Sequence, residues 1–456
     1  MHPECNNRIT KEELSLILGT FLGRLPHVVQ IRDIECEEFP GGFGVNSDLY
    51  KIRIEYATHH DIPVPSEVLL KQHKKELFGI TQKGKSTQRV YLRELKFGEF
   101  ANLRLFVLEN GVRLFPTFYN AGLTSEANSE DVTRTLEMLQ RKKILLMEYI
   151  PGQSLDKKIY QLRRNQENLQ RRINLLEKNK RYLEDIQSLK REAEGLDKKI
   201  LDIVKNGIET TRYFHDELRG ISPESGLLPQ NKISINGFIT KFIRYNEILL
   251  HERLNKSTRG ELWDIYTPII KFISGKDDRT KDLVGIIHGD LHQGNIILDE
   301  RVDHIRFVDA GNIVTDGASV AFDIAPQVFN PPVVSYPPEE IVSLLDSTYL
   351  KDNLLEHRED LYLATILAGH KWCFQAAAAN VVSRKKNLAQ YELFLSHHTN
   401  HENAISLYLT FSHRLLSYLI KNQSSFKMSE KLSESVRRLR EFEYTRHKEL
   451  IENSSS

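Results

Sequence analysis

The spacing of hydrophobic and polar positions changes character three times along the chain. At the start, Thr10 and Glu13 have the spacing of a capping box, and Leu14, Ile17, Leu18, Phe21 and Leu25 follow at helical intervals, which predicts an amphipathic helix. From Asp33 to Lys74 the texture becomes strand-like. Ile34, Cys36 and Phe39 lead into Pro40-Gly41-Gly42-Phe43-Gly44, then Tyr50, Ile52 and Ile54, then Val68-Leu69-Leu70-Lys71. Strand, glycine turn, strand, proline-containing loop and strand predict an antiparallel sheet. Arg89 to Leu103 predicts a helix with Val90, Phe97 and Ala101 on one side, and Phe115 to Tyr119 and Ile144 to Tyr149 predict two more strands. The first 150 residues are expected to form a mostly β lobe carrying one prominent helix.

At Leu155 the pattern turns charged and helical, with Leu155, Ile159, Leu162, Leu169, Ile173, Leu176 and Leu183 in alternating steps of three and four. Gln166 and Lys180 interrupt this seam, and it restarts out of phase at Ile186, Leu189, Ala193, Leu196 and Ile200. The phase change fits a stammer or a turn between antiparallel helices; a solvated helix packed on the body and a projecting coiled-coil hairpin are both open. Beyond Gly220 helices dominate, except from Val284 to Val314, where Val284 to Ile287, Ile296 to Leu298 and Ile305 to Val308 read as short strands. The division expected is an N-terminal β-rich lobe over 1–150, a helical insert over 151–195, a C-lobe core over 196–338 and a helical extension over 339–456.

Composition narrows the function classes. The 456 residues, 40% hydrophobic and 27% charged, are those of a soluble globular chain. Sixty-three Lys plus Arg against 62 Asp plus Glu give a formal charge of +1, so no electrostatic case exists for nucleic acid or an anionic membrane as main partner. Three cysteines, Cys5, Cys36 and Cys373, argue against a disulfide framework and for a reducing compartment. The first twenty residues do not read as a signal peptide, and the most apolar stretches are broken by Asp323 with Pro326 and by His370 with Lys371, so a cytoplasmic location with no membrane span is expected.

The densest polar chemistry is His288-Gly289-Asp290-Leu291-His292-Gln293-Gly294-Asn295, followed by Phe307-Val308-Asp309-Ala310-Gly311-Asn312. Phosphoryl transfer to a hydroxyl needs a carboxylate beside the incoming oxygen and separate oxygen ligands for the cations that neutralise the triphosphate. An Asp in a loop, an Asn five residues on and a second Asp after the next strand would supply those functions, and two short strands would bring Asn295 and Asp309 together.

These motifs resemble those of the aminoglycoside phosphotransferase and choline-kinase-like small-molecule kinases, relatives of the protein kinases. The resemblance implies an α+β, two-lobed protein-kinase-like fold, with a small antiparallel β N-lobe and a larger helical C-lobe, here carrying a coiled-coil-like insertion. It makes Asp290 the catalytic base, Asn295 and Asp309 the ligands of Mg2+, and Lys71 the contact to the ATP phosphates, with Glu94 as its ion-pair partner. Gly42 and Gly44 stand in the glycine-rich hairpin, where Ser47 replaces the pattern's last glycine. The backbone of Glu148 and Ile150 would face adenine, with Met147 behind it. Asp323 would tie down the catalytic loop.

The function implied is ATP- and Mg-dependent transfer of the γ-phosphate to a hydroxyl of a small-molecule acceptor. A protein kinase, a pseudokinase that scaffolds through its coiled coil, and a nucleotidyl transferase on the same fold remain alternatives; a homodimer through the insert is one role for it. A polycationic acceptor fits poorly, because residues 339–443 interleave acids with Lys351, Arg358, Lys371, Arg384, Lys385 and Lys386. The cluster His397, His398 and His401 reads as an exposed helix end.

Overall fold

A computed structural model describes the chain except for residues 1–7, 24–28, 39–46, 58–63, 75–84, 105, 109–110, 124–129, 180–182, 223–224, 233, 332, 351, 386–400 and 453–456. Thr10 caps helix α1 (Lys11–Phe21): its hydroxyl accepts from the Glu13 amide at 3.1 Å, and the Glu13 carboxylate accepts from the Thr10 amide at 2.7 Å. The capped helix lays Leu14, Ile17 and Leu18 against the sheet. That sheet runs β1 (Ile31–Glu38), β2 (Ser47–Tyr56), β3 (Glu67–His73) and β4 (Ile144–Glu148), all antiparallel and in sequence order. The period of two sorts its faces. Tyr50, Ile52, Ile54, Val68, Leu70, Ile144 and Leu146 face the α1 side, while Leu69, Leu145 and Met147 pack with Tyr91 and Phe118 toward helix α2 (Lys85–Arg104).

Three local expectations need correction. Phe115 to Tyr119 is not a strand but an irregular segment with a single bridge, Phe118 to Met147. Pro116 offers no ladder N–H there, and the Asn102 side chain clasps both the Phe118 carbonyl at 2.7 Å and its amide at 3.1 Å. Val284 to Ile287 likewise makes only isolated bridges, to Ser319 and Val314. Helix α3 (Glu130–Lys142) went unread: it carries acids in its first turn and bases in its last, but buries only Val132, Thr135 and Leu139. The glycine-rich segment with Gly42 and Gly44 lies outside the described residues, as do Lys180, Leu25, His397 and His398. The cysteine argument also loses its premise, because Cys36 on β1 is disulfide-bonded; Cys373 is free and buried.

After the hinge the chain enters a second, three-stranded sheet of β5 (Gly152–Ser154), β6 (Ile296–Asp299) and β7 (His304–Phe307). Gly152 is required at its entry. With φ of +146° it brings the backbone so close to β6 that a Cβ would lie 2.0 Å from the Leu298 carbonyl oxygen. Helices α4 (Leu155–Asn179) and α5 (Leu183–Leu218) follow as an antiparallel pair, then α6 (Ile235–Leu249) and α7 (Lys256–Ile273). Beyond the catalytic-type loop come α8 (Ala321–Val328), a small β8–β9 pair (Phe329–Asn330, Val334–Ser335), α9 (Pro338–Thr348), α10 (Arg358–Lys385), α11 (His401–Lys421) and α12 (Glu430–Glu452). Their faces close one large core around Phe214, Phe242, Tyr266, Phe307, Phe329 and Phe374. The architecture is a small antiparallel β lobe joined to a larger helical lobe. Among the described residues no helix is long and apolar enough to cross a membrane.

The helix pair divides into two parts. Leu155 and Ile159 at its base, with Ile200, Val204 and Ile208 opposite, belong to the main core, whereas Leu169, Ile173, Ile186 and Leu189 form a separate cluster farther out. Gln166, which breaks the apolar seam, donates its side-chain amide to Asp197 at 2.6 Å, and Arg163 reaches the same carboxylate at 3.1 Å. The expected boundary at 195/196 falls inside α5, which runs unbroken across it. Replacing residues 166–193 with a short Gly-Ser linker should therefore leave the melting temperature of the body within a few degrees. Ile159→Ala should instead cost about 2–4 kcal/mol in denaturant unfolding, and equal costs would show that the pair is not divided this way.

Candidate active site

The cleft between the lobes is lined by Leu49 and Leu69 of the first sheet, by Met147, Glu148, Tyr149 and Ile150 of the hinge, and by Asn295, Ile297, Val308 and Asp309 of the helical lobe. Lys71 and Glu94 reach into its back. Lys71, on β3, donates to Glu94 Oε1 and Oε2 at 2.8 and 2.9 Å and to Asp309 Oδ1 at 2.7 Å. Burial works against its charge, but the Asp309 and Glu94 carboxylates outweigh it and hold the ammonium well above the ordinary lysine value. Burial alone would likewise raise Asp309; Lys71 overrides it and brings the carboxyl down to about 2. His73, two residues along β3, adds its Nε2 to Glu94 Oε2 at 3.0 Å, a contact the strand pattern did not reveal.

The loop from His288 to Asn295 is fixed by its own backbone. Asp323 on α8 accepts from the amides of His288 and Gly289 at 2.7 and 2.8 Å, and its Oδ2 lies 3.0 Å from His215 Nε2. Gly289 has φ of +80°, and a Cβ there would sit 2.3 Å from the Asn312 carbonyl oxygen. The His288 ring meets the Val308 carbonyl at 2.9 Å and stacks on Phe115. Asn295 Nδ2 donates to the Asp290 carbonyl at 2.8 Å, and the Val308 amide donates to the Asn295 carbonyl at 3.0 Å, so the β6–β7 pairing sets Asn295 beside Asp309. Asp309 itself is left-handed, at φ 62° and ψ 50°, a conformation an Asp tolerates better than most side chains. Asp290 is half-buried, and its Oδ2 accepts from Asn312 Nδ2 at 3.2 Å. His292 uses Nδ1 to accept from the Gly294 amide at 3.0 Å and stacks on Trp372 of α10 at 5.5 Å.

Of the residues singled out from the sequence, Lys71, Glu94, Asn295, Asp309, Glu148 and Ile150 line the one cleft, and Asp290 is tied to it through Asn295 and Asn312. Ser47 is buried at the first position of β2, paired with His73, while Gly42 and Gly44 lie outside the described residues. Glu148 does more than lend a backbone. Its carboxylate accepts from Arg306 at 2.7 and 2.8 Å, from Arg301 at 3.0 Å and from the Thr117 amide at 3.1 Å, and Arg306 is also 3.3 Å from Asp299. The hinge is thereby bolted to β7. Arg306 lies in an apolar strand, and its role was invisible because its partners are 7 and 158 residues away.

Burial would raise the Glu148 carboxyl, but Arg306 and the Thr117 amide bring it down to about 2. A folded-state value below the unfolded one means stability that is present above about pH 4.5 and is lost as pH falls toward 2. The interval corresponds to about 3 kcal/mol at most. Urea unfolding at pH 7, 4 and 2.5 should show Glu148→Gln less stable than the native chain at pH 7, with the difference shrinking on acidification; a difference independent of pH would remove Glu148 from this account.

Residues 130–321, from the first residue of α3 to the first of α8, match the model of the APH family, described as the phosphotransferase enzyme family. The match includes the hinge and the loop with Asp290, Asn295 and Asp309, and excludes Lys71 and Glu94. No curated protein matches the chain. Among solved structures, an ethanolamine kinase from Plasmodium vivax superposes with a TM-score of 0.43 at 14% identity, over 83% of this chain and 82% of that one. The spectinomycin phosphotransferase APH(9)-Ia, in its AMP-bound complex, gives 0.37 at 12% identity over 88% and 98%. Its complex with ADP and spectinomycin gives 0.36 at 14% identity over the same shares. Through residues 130–321, then, the chain is similar to the phosphotransferase enzyme family.

Proposed function

We propose that this phosphotransferase moves the γ-phosphate of ATP to a hydroxyl of a small-molecule acceptor, with Mg2+ as second cofactor. The observation that carries the reading is the buried Lys71, which joins Glu94 to Asp309 at the back of a cleft that also holds Asn295. In this reading the apolar walls, Leu49, Leu69, Met147 and Ile297, take the base. Lys71 presents a fixed positive charge to the phosphates, oriented because two carboxylates hold it from other sides. Asp309 is ionised at neutral pH, and Asn295 has spent its side-chain N–H on the Asp290 carbonyl, so both offer the cleft oxygen, the donor a hard cation prefers. They are the residues that would hold Mg2+, which when bound neutralises charge on the transferring group.

Asp290 is the proposed base. Asn312 steadies one of its carboxylate oxygens, and Asp323 fixes the backbone immediately before it, so the acid is aimed without an ion pair among the described residues. It would receive the proton of the acceptor hydroxyl as that oxygen attacks the γ-phosphorus and the bond to the departing diphosphate breaks. The N-lobe, hinge and C-lobe core together form the catalytic body in this account, and a supply of ATP fits a cytoplasmic location.

Incubating the chain with ATP, Mg2+ and a panel of hydroxyl metabolites, with mass detection, tests the reading: a product heavier by one phosphate is expected, and a nucleotide adduct would overturn it in favour of nucleotidyl transfer. Asp290→Asn should cut turnover by about 10²–10⁴-fold while calorimetry shows nearly unchanged affinity for the nucleotide. Lys71→Met should weaken the nucleotide complex itself. Near-normal turnover in Asp290→Asn would remove it as the base.

A further inference from the structure

Beyond Asp290 stand three cationic side chains, Lys241, Lys371 and Arg93, with no ion-pair partner among the described residues. Lys371 on α10 and Lys241 on α6 lie over the same ring, that of Phe238, at 5.8 and 5.5 Å from its centroid, so the two ammonium groups are no more than about 11 Å apart. Lys371 is also 5.3 Å from the Phe322 ring. Phe322 adjoins Asp323, the residue that holds the His288 and Gly289 amides, and Trp372, next to Lys371, stacks on His292 of the same loop. The two lysines therefore stand beside the catalytic-type loop. From the other lobe, Arg93 sits on the turn of α2 whose Val90 and Glu94 approach Gly311, and its Nε is buried without a hydrogen-bond partner.

Among the described residues none of these three cations is held in an ion pair; the acid acting on Lys371 is Asp290 itself. Lysines elsewhere on the molecule find carboxylates readily: Lys51 pairs with Glu67 and Lys190 with Glu177. Burial, with Lys241 nearby, lowers Lys371 to about 8, and burial with Arg93 lowers Lys241. Like charges gathered without a counter-ion repel one another, and an anion placed among them relieves that repulsion while gaining charge-assisted hydrogen bonds. Although protein crowds both side chains, Lys241 and Lys371 each keep surface open to solvent, so a ligand reaches both.

We propose that the acceptor carries, besides its reacting hydroxyl, an anionic group, a carboxylate or phosphate, gripped by Lys241 and Lys371 across Phe238 with Arg93 closing from the other lobe. The inference rests on the phosphotransfer reading above and names the acceptor class for the same site. It sets the molecule against cationic acceptors, for which this surface would be repulsive.

The test uses the full chain saturated with Mg2+ and a non-hydrolysable ATP analogue, so that the nucleotide site is filled, and titrates inorganic phosphate and acetate by calorimetry. Binding of at least one is expected, weakened about tenfold or more by Lys371→Met and by Lys241→Met and largely kept by Lys371→Arg. Phosphate alone or acetate alone identifies the anion. In parallel, glycerol, glycerate, glycerol phosphate and 3-amino-1,2-propanediol compare neutral, anionic and cationic hydroxyl compounds on one carbon skeleton as acceptors. Anion binding that survives in Lys241→Met/Lys371→Met, absence of anion binding to the loaded chain, or preference for the amine overturns the proposal while leaving phosphotransfer intact. Failure of the chain to bind the nucleotide analogue would instead overturn the reading on which it rests.

Discussion

The structure depends on one buried cation. Lys71 has only 5% of its surface exposed, and a lone ammonium in that position would surrender its charge. It keeps the charge because Glu94 comes from a helix of the small lobe and Asp309 from a loop of the large one, each within 2.8 Å. The three groups satisfy one another only when the lobes are in this relation. Separating them would leave an ammonium and two carboxylates without partners at the centre of the molecule. The same contact fixes α2 over the turn at Ala310–Asn312, which places Asn312 where it meets Asp290.

A second buried network solves a different problem. A hinge must be rigid enough to present its backbone, yet it is a short extended segment between two sheets. Here Glu148 at the end of β4 takes Arg306 of β7, and Arg306 also reaches Asp299 at the end of β6 and the Phe115 carbonyl at 2.9 Å. One guanidinium thus joins four segments, which its planar fork of donors permits and a lysine would not. The left-handed Gly152 then lets the chain turn tightly onto β6. Lys71 and Glu148 are therefore held by opposite charges in balance, while Lys241 and Lys371, on the far side of the His288–Asn295 loop, have no such partners among the described residues.

Much of this was legible in the sequence wherever the chemistry is local. The Thr10–Glu13 box, the alternation in β2 and β3, and the polar spacing from His288 to Asp309 are short-range patterns, and each marks an element or loop that the fold contains. The pairing of Lys71 with Glu94 was implied by the family resemblance, since a lone strand Lys or helix Glu carries no such signal, and the fold contains it. Residues 115–119 misled because Pro116 and the Asn102 clasp on Phe118 limit their pairing with β4 to the Phe118–Met147 bridge and its two flanking hydrogen bonds, too short for a strand. Helix α3 was passed over because its single buried stripe is narrow.

What the sequence determined by itself was the order of most elements, with α3 and the segments 115–119 and 284–287 excepted, and the identity of several polar groups that converge on the cleft. Only the tertiary structure decided that Glu148 is an ion-pair hub, that Asn312 supports Asp290, that the base of the α4–α5 pair belongs to the main core while its outer part does not, and that Lys241 and Lys371 share one aromatic ring. The reason is physical. Backbone periodicity and capping act over a few residues and leave a trace in the pattern, whereas a charge is defined by what surrounds it after folding. Lys241 and Lys371 stand 130 positions apart and look like any surface lysines until Phe238 is set between them.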